Sequence, residues 1–472
     1  MRVLVVGGGA REHAIAATLA ESEAEVVVAS PNANPGLDRV ARAAHRISLG
    51  DPDAAVKIAR NEHVDFSVIG PEAPLAAGFG DALRAAEIPV VGPSRDGARI
   101  ESSKLFCREL IAKRRADAQP RFLPVIHLEE VDRRIAEFHG PFVVKPIGLN
   151  QGKGVAVMGS DFASPEEGAS YVRQLLALRT GGGAGVLLEE KLEGEEFSLM
   201  CLVTDSGVYP LPLVQDYKRA EAGNQGPNTG GMGSYSQRDH LLPFVSRAVR
   251  DKALGIVREA AEALRAAGIQ YRGILYGGFM LTRDGPKLLE FNARFGDPES
   301  LNVLALYQRG DFAELLHGVA TGRVDPVLTS FRLRATVVKY LVPPGYPNVP
   351  RSGGILAVDE ARILAHGVRV FYGSVEAAGP GRVRFGTGRG LALVGEASAI
   401  HEASARVEAA LEGVSGDYAI RHDIATPTDV TDRVEHMRRL LAPGAKPSPL
   451  PLSVAPADAP PSSAGTSAQV LG

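Results

Sequence analysis

The sequence predicts a multidomain protein of mixed α/β and α+β class, with a parallel-sheet domain at its start. Three observations carry that expectation. Residues 1 to about 100 alternate short apolar runs with alanine-rich stretches, the pattern of a parallel sheet with crossover helices. Residues 142–157 hold two strand-like runs around a glycine-rich loop, and residues 287–299 hold a strand with one apolar and one polar face. The chain has 472 residues, 45% of them hydrophobic, which at ~150 residues per domain suggests about three domains.

In the first hundred residues the apolar runs are Val3–Val6, Val26–Ala29, Phe66–Ile69 and Pro89–Val91, with helical stretches such as His13–Glu21 and Leu75–Glu87. This is a Rossmann-like arrangement. The turn Gly7-Gly8-Gly9 after the first strand invites comparison with a dinucleotide site, but residue 12 is Glu where that fingerprint needs glycine. The second strand also ends in Ala29-Ser30, without an acid for a ribose, so a dehydrogenase is disfavoured. Free N–H groups at the first helix N-terminus still offer a place for a phosphate. The plainer alternative is a tight strand-to-helix crossing with no ligand.

The run Phe142-Val143-Val144-Lys145-Pro146 enters a loop with Gly148, Gly152 and Gly154, and Val155-Ala156-Val157 leaves it. That pattern predicts two strands with a phosphate cover between them. It is not a Walker A loop, because only three residues separate Gly148 from Gly152 and Gly154 follows Lys153 where Ser or Thr should stand. From Lys287 to Glu299, alternation predicts Leu289 and Phe291 on one face and Glu290, Asn292 and Arg294 on the other. A carboxylate and an amide oxygen two residues apart suit Mg²⁺ that also touches nucleotide phosphates. A guanidinium beside them suits a carboxylate or phosphate. Residues Gly226 to Gly233 contain no acid, no base and four glycines, and follow Gln215-Asp216-Tyr217-Lys218-Arg219. Such a stretch can hold an anion or a small zwitterion on main chain, or be a flexible connector.

Lys plus Arg total 52 against 55 Asp plus Glu, so the broad positive field that nucleic-acid binding needs is missing. Small ligands are expected, with no nucleic acid. Cys107 and Cys201 stand far apart, with no Cys or His near them at metal-ligand spacing, and read as reduced thiols. The apolar run in Met-Arg-Val-Leu-Val-Val-Gly is too short for a signal segment, and no stretch approaches ~18 apolar residues. A cytoplasmic protein, not bound to a membrane, is expected.

Taken in order, Gly9-Ala10-Arg11-Glu12-His13, Gly70-Pro71-Glu72-Ala73-Pro74-Leu75, Ser103-Lys104, Gln215 to Arg219, Gly226 to Gly233 and Glu290 to Glu299 resemble the ATP-grasp superfamily. Within it they resemble the phosphoribosylamine–glycine ligases, also called glycinamide ribonucleotide synthetases, from Met1 to about residue 435. The resemblance implies an ATP-grasp fold, ATP as co-substrate, Mg²⁺ or Mn²⁺, the substrates glycine and 5-phosphoribosylamine, a glycyl phosphate intermediate, and a monomer. By resemblance, Gly9, Arg11 and Glu12, with the turn Pro31 to Gly36, serve phosphoribosylamine. Lys104, Lys145, Gly152, Lys153, Gly154 and Glu189 serve the nucleotide. Lys191 and Leu192 offer backbone to adenine, and Glu196 reaches the ribose. Asp216 meets the glycine ammonium and Arg294 its carboxylate, with Lys218 beside them. Asn228, Thr229, Gly230, Gly231 and Met232 form the substrate loop, and Glu290 and Asn292 hold the metal. Gly278 offers no side chain as a third metal ligand.

The resemblance divides the chain into residues 1–101, 102–188, 189–327 and 328–442, the last implied to be a C-terminal domain that closes the active site beside the first. The last unit carries strand-like runs at Ala335–Tyr340, Val368–Tyr372 and Leu391–Val394. Residues 443–472 have only Lys446 and Asp458 as charges and are dominated by Pro, Ser and Ala, a composition expected to be disordered. Pro449 and Pro451 make an added strand through Leu450, Leu452 and Val454 a poor alternative. Departures from the family pattern stand at Ser102, Pro146-Ile147, Asn150-Gln151 and Tyr217, none of which removes a ligand-bearing group. Two rivals remain. Another ATP-grasp ligase or carboxylase would not need Gly226 to Gly233 as it stands, and a non-enzymatic nucleotide sensor would not need Asp216, Glu290, Asn292 and Arg294 together.

Overall fold

The computed structural model describes residues 1–149, 154–308 and 311–442. Its first sheet has five strands in the spatial order Ala43–Arg46, Glu25–Ser30, Arg2–Val6, Phe66–Ile69 and Val90–Val91. All pair in parallel, with Val3 beside Val26 on one side and Phe66 on the other. Val3 to Val6, in the central strand, are fully buried, as a strand covered by helices on both faces requires. Ala43–Arg46 is the one strand of the five that the apolar runs do not predict. Two alanines, a histidine and an arginine carry little strand signal. The helical stretch at Leu75–Glu87 is two helices, Glu72–Ala77 and Phe79–Ala85. Gly78 between them has φ +90°, a left-handed cap that ends the first.

Two antiparallel sheets follow. One runs Phe122–Val125, Val186–Glu190, Phe142–Pro146, Ala156–Val157, and the other Val208–Pro210, Glu195–Val203, Gly273–Thr282, Gly285–Asn292. In the last strand Glu290 pairs with Gly278 but Leu288 with Phe279, which leaves Leu289 unmatched. This bulge corrects the predicted core face: Leu288 and Phe291 are buried, while Leu289 lines a cleft. One extra residue shifts the alternation by one position. The carbonyls at the bulge are taken by Arg108, whose Nη1 donates to Leu288 O at 2.9 Å and Nη2 to Leu289 O at 2.6 Å.

A further five-stranded sheet joins Gln215–Asp216, Gly233–Ser236, Ala335–Leu341, Leu391–Ala397 and Val368–Tyr372, so strands from both sides of residue 328 share it. A four-stranded sheet built from Val375–Ala377, Arg382–Phe385, Ile355–Val358 and Val414–Ser415 lies beyond. The strand-like runs predicted after residue 328 all fall in strands. The first and last parts of the chain are tied at Tyr372. Its N–H donates to His13 Nδ1 at 3.0 Å, and its carbonyl accepts from Asn34 Nδ2 at 2.7 Å. Among the described residues, no helix is long and apolar enough to cross a membrane.

Candidate active site

A cleft of about 1170 Å³ takes its lining from residues spread between Gly9 and Arg433, with none from the four-stranded sheet of Ile355–Val358 and its neighbours. It brings together Gly9, Arg11, Lys104, Lys145, Glu189, Lys191, Leu192, Glu196, Asp216, Lys218, Asn228, Thr229, Gly230, Glu290, Asn292 and Arg294. Glu12, Gly154, Gly231, Met232 and the turn from Pro31 to Gly36 are not part of its lining. Gly152 and Lys153 lie outside the described residues.

At one end, Ser103 caps the helix Lys104–Arg115 by accepting from Phe106 N at 3.3 Å. That cap sets Lys104 at the helix start, where its Nζ donates to Gly148 O at 3.3 Å. Burial pulls the Lys104 ammonium below the ordinary lysine range. Lys145 Nζ lies 2.7 Å from Glu189 Oε2, and Arg108 Nε lies 2.7 Å from Glu189 Oε1. Both oxygens of Glu189 are thus committed within the protein. Burial works against its charge, but Arg108 and Lys145 outweigh it and hold the carboxyl at about 2. Its geometry is that of a brace for Lys145.

Glu290 and Asn292 project from the strand Gly285–Asn292. Burial opposes the Glu290 charge, yet Lys218, Lys145, Lys104 and Arg294 together hold it below the usual carboxylate range. Asn292 Oδ1 accepts from Arg294 Nη2 at 3.3 Å. No group of three or more His, Cys, Asp or Glu among the described residues could hold a metal ion. A cation on Glu290 and Asn292 would therefore complete its shell with phosphate and water oxygens, as Mg²⁺ commonly does. The donor set fits such an ion. Arg294 faces Glu101 Oε1 at 3.2 Å and Glu72 Oε2 at 3.4 Å. Its Nε makes no hydrogen bond.

The loop Gly226 to Gly233 is tied to Tyr217 and Lys218 and braced by its own Thr229. Thr229 donates to Lys218 O through N at 2.7 Å and through Oγ1 at 2.9 Å, and its Oγ1 accepts from Gly231 N at 3.0 Å. Met232 is buried and donates through N to Tyr217 O at 2.7 Å. Gly231 has φ +106°, and a Cβ there would stand 2.6 Å from Asp216 Oδ1, so no larger residue fits. Asp216 Oδ1 is enclosed and has no hydrogen-bond partner. Burial and then Glu299 push its carboxyl well above the usual range. Lys218 pairs with Glu196. Burial pulls its ammonium down, but Glu196, Asp216 and Glu290 outweigh that and raise it.

In the turn between Val186–Glu190 and Glu195–Val203, the Lys191 N–H donates to Pro141 O at 3.1 Å and its Nζ to Met158 O at 2.8 Å. At the first helix, Glu12 Oε2 accepts from Gly9 N at 2.7 Å and Oε1 from Arg11 Nε at 2.6 Å. Glu12 thereby caps the helix Ala10–Glu21 from inside. Arg11 Nη1 donates to Phe295 O at 3.1 Å.

Sequence reasoning missed Arg389. Its Nη1 donates to the carbonyls of Gly230, Gly231 and Asp297 at 2.6, 2.8 and 2.9 Å. Its Nη2 lies 3.1 Å from Asp297 Oδ2, and the guanidinium sits 4.5 Å from the Tyr340 ring centre. No local pattern marks it, since every partner is distant in sequence. Glu299, whose Oε1 accepts from Tyr276 Oη at 2.5 Å, closes the run Glu290 to Glu299 and could have been weighed from it.

Fold and cleft together define an enzyme of the ATP-grasp class, whose members use ATP. Three descriptions of one family match in succession: Phosphoribosylglycinamide synthetase, N domain, over residues 1–101, its ATP-grasp (A) domain over 102–300, and its C domain over 336–427. The chain belongs to the phosphoribosylglycinamide synthetase family. It is 41% identical over 440 residues to a phosphoribosylamine–glycine ligase of Pyrococcus abyssi, a match spanning 93% of this chain and 98% of that one. A solved phosphoribosylamine–glycine ligase of Thermotoga maritima superposes with a TM-score of 0.76 at 29% identity, covering 90% of this chain and 100% of that one. The fold extends to the biotin carboxylase domain of Hydrogenobacter thermophilus 2-oxoglutarate carboxylase, solved with MgADP, at a TM-score of 0.68, 15% identity and 93% of each chain.

Proposed function

We propose that the protein joins glycine to 5-phosphoribosylamine at the expense of ATP, giving glycinamide ribonucleotide, ADP and phosphate in de novo purine biosynthesis. The relatives named above carry the matching ligase name. The observation that carries the reading is the enclosed, unpartnered Asp216 Oδ1 in the same cleft as Lys104, Lys145, Lys218 and Glu290. A small ammonium beside Asp216 would favour its ionised form.

A carboxylate is a poor acyl donor, so a glycine oxygen first attacks the γ-phosphorus and ADP leaves. The amine nitrogen of 5-phosphoribosylamine then adds to the acyl carbon of glycyl phosphate, phosphate departs, and the nitrogen gives up a proton. Lys104 and Lys145 offset triphosphate charge, together with Lys153. Glu196 meets the ribose and steadies Lys218, Arg294 meets the glycine carboxylate, and Gly9 and Arg11 serve the phosphoribosyl end. Mg²⁺ or Mn²⁺ on Glu290 and Asn292 would offset phosphate charge further. Positioning and charge neutralisation then do most of the catalysis. The reading includes a monomer in the cytoplasm, in keeping with two buried free thiols, Cys107 and Cys201.

The test is ADP release with glycine and freshly made phosphoribosylamine, each omitted in turn. Release is expected only with both present. Equal turnover with alanine or D-alanine in place of glycine would overturn the assignment.

A further inference from the structure

The helix Pro427–Leu441 begins where the C-domain match ends, yet its Arg433 lines the cleft. Thr426 Oγ1 caps the helix by accepting from Asp429 N at 3.3 Å. Arg433 Nη1 lies 2.8 Å from Glu195 Oε2, its Nε 3.3 Å from Asp429 Oδ1, and its guanidinium carbon 4.7 Å from the Tyr217 ring centre. Three residues on, His436 Nδ1 lies 2.6 Å from Glu195 Oε1. The helix therefore holds both oxygens of Glu195. It also holds Tyr217, whose hydroxyl donates to Asp429 and accepts from Ala425 N at 3.1 Å.

Both gripped residues sit beside groups that face the cleft. Glu195 precedes Glu196 in one strand, and Tyr217 stands between Asp216 and Lys218. Glu195 and Glu196 both line the cleft and are joined by one strand backbone, so fixing Glu195 also fixes where Glu196 stands. Glu196 and Lys218 pair with each other across the cleft wall. Arg433 and Glu195 are only 13% and 12% exposed, so water screens their pair less than an exposed one.

We infer that Arg433 is a positioning residue for nucleotide binding: by holding Glu195 and Tyr217 it sets the Glu196–Lys218 pair at the ribose end of the cleft. The inference rests on the reading of the cleft as a nucleotide site and adds a residue and a helix to it. Arg433→Met keeps apolar contact with the Tyr217 ring and loses the fork, whereas Arg433→Lys keeps the charge. ADP binding by titration calorimetry, steady-state KM values and melting temperature are measured on the full chain.

Arg433→Met is expected to weaken ADP binding about tenfold and to raise the KM for ATP alike, with the KM for glycine within about twofold. Arg433→Lys should recover most of the loss. Should Arg433→Met fold poorly, Glu195→Gln removes the same pair from the other side, and the double variant should bind ADP no more weakly than either single one. Unchanged ADP binding in the variants would overturn the inference. So would equal losses for ATP and glycine accompanied by a lowered melting temperature, which would make the helix a structural support alone. A native chain that binds ADP but releases none with glycine and phosphoribosylamine would overturn the functional reading instead, and the ADP comparison would still decide the role of Arg433.

Discussion

Glu290 keeps its charge in the cleft because four cations outweigh the cost of burial. Replacing it with alanine removes that charge and leaves Leu288 and Phe291, on the packed face, untouched. Turnover in Glu290→Ala is expected to fall by about 10²-fold or more with the circular dichroism spectrum unchanged. Asn292→Ala should be milder, since an uncharged ligand contributes less Coulombic attraction. Near-native activity of Glu290→Ala at low Mg²⁺ would show the metal site to be misplaced. Lys145 and Glu290 stand in short runs whose pattern itself suggests phosphate and metal chemistry, whereas Lys104 and Asp216 were assigned through the family resemblance. Arg108, Arg389 and Arg433 were legible in neither way. Their partners Leu288, Gly230 and Glu195 lie far along the chain, and an isolated arginine reads as surface charge until the fold brings such partners to it.

The helix Ala10–Glu21 and the strand Val368–Tyr372 meet through a buried, neutral histidine. His13 accepts from Tyr372 N and lies 5.3 Å from the Phe371 ring. Burial first, then Arg39 and Arg369, bring its pKa down to about 3. The unfolded chain takes up this proton near pH 6.5. His13 thus contributes fully above about pH 6.5, and the contribution is lost as pH falls toward 3, by ~1.4 kcal/mol per pH unit. Urea unfolding at pH 7.5 and 5.5 should show the native chain losing about 1.4 kcal/mol more than His13→Gln. Equal losses would show that His13 is not buried neutral at this junction. Elements were legible where period and length agreed, as at Val3–Val6 or Val368–Tyr372. They failed at Ala43–Arg46, where propensity is silent, and at Leu289, where the bulge stabilised by Arg108 breaks the alternation.

The whole chain ends in residues 443–472, which lie outside the described residues and outside the three family matches. With two charges and many prolines, this stretch lacks the composition for a core of its own. A chain stopped at residue 442 is expected to keep native turnover and melting temperature. A drop of more than about 4 °C would show that the tail belongs to the folded enzyme.

The sheet that carries Asp216 reaches its third and fourth strands only at Ala335–Leu341 and Leu391–Ala397. During synthesis, Asp216 must therefore leave the ribosome long before the later strands of its sheet. At ~5–20 residues per second the delay from Ser236 to Ala397 is about 8–32 s. Until residue 341 has been added, the first sheet has all of its strands while Gly233, at the end of the loop, lacks its neighbour Ala335–Leu341. Protease digestion of nascent chains stalled at residue 330 should cut within 215–236 and spare residues 1–101, whereas equal protection of both would show that the pocket closes without its later strands. The translating cell thus holds, for some seconds per molecule, an unfinished sheet around Asp216 behind a finished parallel sheet.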